Sequence, residues 1–141
     1  MANHYTNPSI VRRISKEQNI ALGEAAELFQ ETLKFLDLCN EADESLAPSR
    51  AIDSAWHLFI LHTADYASYC QERFGRFLHH VPTYEIMDDA YILARQHANQ
   101  RFGTLDASLW PAVSTVSGPK PQAASDCTGG KVPVHIDVVN S

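Results

Sequence analysis

Apolar residues recur at intervals of three and four over most of the first 110 positions, and this spacing predicts helices. Pro8 opens a short helix with Ile10, Val11 and Ile14 on one side. Ala25, Leu28, Phe29, Leu33, Leu36 and Cys39 then form the buried face of a longer helix over 22–40. The acidic run Glu41 to Ser45, followed by Pro48, marks a break. Ser49 is placed to cap a central helix reaching to about Arg73. At about 100° per residue, Ile52, Trp56, Phe59, Thr63 and Cys70 make its core stripe. Asp53 and His57, one turn apart, share a second face with Ile60, Leu61 and Ala64, while His62 and Tyr66 lie on the opposite flank. A helix apolar on so many sides is expected at the centre of a bundle, and Gly75 marks its end. After His79-His80-Val81-Pro82, Thr83 caps a last long helix over 84–102, with Met87, Ala90, Tyr91, Ala94 and Ala98 inward and Gly103 as its stop. Trp110-Pro111 reads as an anchor where the chain leaves the bundle.

The expected fold is all-α: a bundle of about four helices over residues 1–111, then a flexible, irregular tail over 112–141. In the tail, Pro119, Pro121, Pro133, Gly118, Gly129 and Gly130 interrupt any helix. Residues 131–139 are strand-like, suited to a partner's sheet edge or to remaining disordered. No internal repeat is present.

Composition narrows the function classes. A chain of 141 residues makes one domain with enough core to fold without metal or disulfide. Its formal charge of −6, with no Lys/Arg stripe, argues against nucleic acid as a partner. No apolar run approaches the roughly 20 residues of a membrane span. The first residues lack the apolar stretch of a signal peptide, so a cytoplasmic protein is expected. Cys39, Cys70 and Cys127, odd in number and far apart, fit reduced thiols.

The candidate chemistry gathers between Ser49 and Pro82, which hold four of the seven histidines. Asp53, His57, His62, Cys70, His79 and His80 are the candidate metal ligands. Imidazole with carboxylate or thiolate suits zinc, iron or copper. Each has a structural reading beside this one. Asp53 and His57 can form a hydrogen-bonded pair, one of His79 and His80 can cap a helix end, and Cys70 can be a small core residue. Trp56 and Tyr66 read as core aromatics with satisfied polar tips, and His97 as a rim residue. Cys127 and His135 in the tail have no ligand spacing. HExxH, CxxC and GxSxG are missing, and so is a phosphate-binding glycine loop, so no nucleotide cofactor is expected and no reaction is indicated. Glu24, Glu27 and Glu31 share a helix, but the paired ExxH motifs of a di-iron bundle are missing.

The string APSRAIDSAWHLFILHTADYASYC, then FGRFLHHVPT, YILARQHANQRFG and LWP, resembles the glycine-rich domain-containing protein-like family over roughly residues 28–111. The resemblance implies a small helical domain with a Gly/Cys-rich tail, of which residues 126–130 look like a reduced remnant; it implies no activity. That family pattern has a second histidine two residues after the first, where this chain has Phe59 and instead carries His62. Two functions therefore stand side by side. One is a metal-binding domain built on the His/Asp/Cys cluster. The other is a non-catalytic interaction module whose cluster is a structural hydrogen-bond network and whose tail takes a protein partner.

Overall fold

Asn7 starts the first helix, because its side chain accepts from the Ile10 N–H and Pro8 follows with a φ already suited to the first turn. The computed structural model describes residues 3–82, 88–113 and 125–127. Among them are five helices: α1 (Pro8–Gln18), α2 (Leu22–Glu41), α3 (Arg50–Leu61), α4 (Thr63–Phe74) and α5 (Asp88–Phe102). Two short strands, β1 (His80–Pro82) and β2 (Ser125–Cys127), pair antiparallel. The fold is all-α, as the periodicity predicts.

The hub of the bundle is α2 rather than the helix after Ser49. It packs against α1, α3 and α5 and buries Ala25, Leu28, Phe29, Leu33, Phe35, Leu36, Leu38 and Cys39. Polar groups on this helix are matched at close range. Thr32 donates to the Leu28 carbonyl, and Asp37 takes both Arg73 Nε and Nη2 at 2.8 Å.

The expected single helix from Ser49 to Arg73 is two helices. The break is at His62, whose φ of −88° and ψ of 71° are not helical. The Leu58 carbonyl, which would accept the His62 N–H in an unbroken helix, is bonded by His62 Nδ1 at 3.1 Å. The His62 N–H moves to the Phe59 carbonyl, tightening the last turn. Thr63, placed on the core stripe by an unbroken wheel, is consequently exposed. Ile52, Trp56, Phe59 and Cys70 are buried as expected.

Gly75 ends α4 with φ of 73°, and Gly103 follows α5 with φ of 85°. Thr83 and Met87 lie outside the described residues, as does the strand-like stretch 131–139. The described part of the last helix begins at Asp88 and buries Tyr91, Ala94 and Ala98. Trp110 closes the core: it is fully buried, and its Nε1 donates to Glu31 Oε1 at 2.9 Å. No helix among the described residues is long and apolar enough to cross a membrane.

Candidate functional site

Ser49 accepts from the Ile52 N–H and fixes the first turn of α3, where the Asp53 carboxylate lies near the positive end of the helix dipole. The next turn presents Trp56 to the core and leaves His57 exposed. Beyond Gly75 the chain returns over α3. Leu78 is fully buried, and its carbonyl accepts from Tyr66 Oη at 2.6 Å, while Trp56 Nε1 donates to the same hydroxyl at 3.0 Å. These two bonds satisfy the polar tips of both aromatic rings and pin the entry to β1.

Two residues after Leu78, His80 is held on α3. Its Nε2 is 2.9 Å from Asp53 Oδ1, and its ring lies against Trp56 with centroids 4.3 Å apart. A carboxylate can only accept, so Nε2 carries the proton and Asp53 sets the tautomer. The His80 and Asp53 side chains are 13% and 21% exposed, a half-buried pair. The His57 ring stands 6.1 Å from that of His80. Asp53 therefore meets His80 across the fold, in place of the bond to His57 suggested by their one-turn spacing.

The other nominated residues go elsewhere. His62 bonds its own helix at Leu58. His79 is exposed, with its ring edge-on to Phe77 at 4.9 Å. Cys70 is fully buried in the core. His97 is a rim residue, 3.6 Å from Glu44. Among the described residues, no group of three or more His, Cys, Asp or Glu side chains is placed to hold a metal ion. The six-residue cluster in sequence is thus one pair in space, Asp53 with His80, and one neighbour, His57.

The tail strand was hidden from sequence reasoning. In the β1–β2 ladder His80 stands opposite Cys127, Val81 opposite Asp126 and Pro82 opposite Ser125. Three small polar residues carry no strand signal, and a Val-Pro step reads as a turn. A separate open cleft of about 400 Å³ is lined in part by Asp65, Tyr69, Glu72 and Arg73. Three of these groups already have partners: Asp65 accepts from Asn7 Nδ2 at 3.1 Å, Tyr69 Oη from Asn3 Nδ2 at 2.6 Å, and Arg73 donates to Asp37.

A family model described as UCP032817-like matches residues 1–102. The chain belongs to the UCP032817-like family. This overturns the resemblance to the glycine-rich domain-containing protein-like family, and with it the reading of residues 126–130 as a remnant tail. The expectation of a second histidine at the position of Phe59 rested on that resemblance and falls with it. The match contains Asp53, His57 and His80 and stops before Trp110 and β2. No curated protein and no solved structure matches the chain.

Proposed function

We propose that this UCP032817-like domain is a non-catalytic interaction module that takes an extended peptide segment along the edge of β1. The observation carrying this reading is the pairing of β1 with residues 125–127, more than 40 positions further on. A lone strand on a helical domain offers a row of backbone donors and acceptors to any extended segment. A ladder of three residues is marginally stable by itself, so the tail is a natural place-holder for a competing strand. In this reading Asp53, Trp56 and Tyr66 serve as supports. They fix His80 and Leu78, and so hold the edge rigid before a peptide arrives.

The test is an NMR titration of the ¹⁵N-labelled full chain with an unlabelled peptide of residues 121–131. Saturable shifts at the His80 and Val81 amides and at residues 125–127, with the helices unmoved, are the expected result. An unperturbed β1 at millimolar peptide would sink the reading.

A further inference from the structure

We propose that the cleft between residues 3–7 and α4 binds a small diamino acid, a molecule with two ammonium groups and a carboxylate. The site uses none of the residues of the β1 edge and goes beyond the docking reading. Residues 3–7 reach across to α2 and α4 because their polar groups are matched there. Asn3 Oδ1 accepts from the Tyr5 N–H at 3.0 Å, which aims Nδ2 at Tyr69 Oη, 2.6 Å away. The Tyr5 carbonyl accepts from Gln30 Nε2 at 3.0 Å, and its half-buried ring lies against that of Tyr69 with centroids 4.7 Å apart. Between this segment and α4 lies the cleft of about 400 Å³, a size within the range of about 300–1,000 Å³ common to small-molecule sites.

Three groups on the wall keep capacity for a ligand. Tyr69 is only 5% exposed; its hydroxyl accepts from Asn3, and its own proton finds no acceptor among the described residues. Burial pushes this hydroxyl's titration upward, so the proton stays. A buried donor left unmatched is costly, and a ligand carboxylate is the strongest match for it. Asp65 spends only Oδ2, on Asn7, and Glu72 has no hydrogen bond or ion pair among the described residues. Positions 65, 69 and 72 share one face of α4. The two carboxylates are therefore spaced about 10.5 Å along the axis, with Tyr69 between them. A single ammonium cannot meet both, whereas two joined by a methylene chain can, with the chain against the Tyr5 ring. Arg73 brings little net charge, because Asp37 takes both its Nε and Nη2. The cleft is thus negative at both ends, as the whole chain is at −6, and favours a ligand with an excess of positive charge.

The experiment is an NMR titration of the ¹⁵N-labelled full chain, at fixed ionic strength, with three probes. These are L-lysine, cadaverine (lysine without its carboxylate) and L-norleucine (lysine without its side-chain ammonium). Saturable shifts for lysine at the amides of residues 3–7 and α4, with β1 unmoved, are the expected result. Cadaverine and norleucine should each bind about tenfold more weakly, the effect of one charge-assisted bond. Tyr69→Phe should weaken lysine about tenfold and leave cadaverine unchanged, a difference that a merely loosened fold would not produce. Glu72→Gln, at an exposed position, should weaken lysine and cadaverine alike. Lysine and cadaverine bound equally, with Tyr69→Phe without effect, overturns the carboxylate's part and with it the ligand class. Shifts that do not saturate, or that spread over the acidic surface, overturn the site and leave the peptide titration as an independent test of the edge.

Discussion

At the scale of single residues, the group around Trp56 shows how side chains hold a backbone segment that has little regular structure of its own. Tyr66 is the junction: its hydroxyl accepts from Trp56 Nε1 and donates to the Leu78 carbonyl. Both aromatic residues and Leu78 are buried, so neither group gains water if the hydroxyl is removed. Each buried polar group left unmatched costs about 1–3 kcal/mol. Tyr66→Phe is therefore expected to destabilise the domain by about 2–4 kcal/mol in urea unfolding, and to speed amide exchange at His80 and Val81 more than in α2. A loss below about 1 kcal/mol would mean the junction does not support β1. The wheel of the helix already places Trp56 and Tyr66 as core aromatics with polar tips. It cannot show that Asp53 meets His80, because periodicity reports neighbours one turn apart and His80 lies 27 positions on.

At the scale of elements, start and stop chemistry was the most legible. Ser49 and Gly75 act as a cap and a left-handed stop because their reasons are local. The interruption at His62 was not legible, since an imidazole competing for the Leu58 carbonyl leaves no trace in the apolar pattern. The place of α5 depends on the segment that follows it. Tyr91 donates to the Pro111 carbonyl at 2.7 Å, and Arg95 Nε to that of Trp110 at 3.2 Å. Burial pushes the Tyr91 hydroxyl up to about 12, whereas an unfolded tyrosine titrates near about 10. Below pH ~10 both states keep the proton and the contribution is whole. Between about 10 and 12 the unfolded state loses its proton first, and stability falls by about 1.4 kcal/mol per pH unit for this one group. Urea midpoints from pH 8 to 11.5 should show that slope, and Tyr91→Phe should flatten it by about one proton. Tyr69, also pushed upward by burial, keeps its own slope in that variant. An unchanged slope would show that Tyr91 titrates normally.

At the scale of the molecule, the family match and the folded core end at different places. The match stops at Phe102, the last residue of α5. Trp110, eight positions later, is fully buried beside Phe35 and bonded to Glu31 on α2. A chain ended after Phe102 would lose a complete buried indole, and replacing such a ring with alanine already costs about 3–5 kcal/mol. It would also leave Tyr91, Arg95 and Glu31 without their partners in the exit segment. Against a typical total of about 5–15 kcal/mol, that loss is large enough to leave the shortened chain partly unfolded. A chain ended after Val113 keeps Trp110 and, among the described residues, the whole buried core, so it should melt within about 2–4 °C of the full chain, the shift of a single weak interaction. Thermal unfolding followed by circular dichroism compares the three lengths. Equal stability of all three would remove Trp110 from the core, while a large loss at Val113 would give the tail a structural role beyond its three-residue strand. The Trp-Pro pair was readable as an anchor because a bulky aromatic ahead of a proline, after the last periodic helix, has to be accommodated somewhere. The strand at Ser125–Cys127 was not readable, since its existence depends on an edge that only the folded helices create.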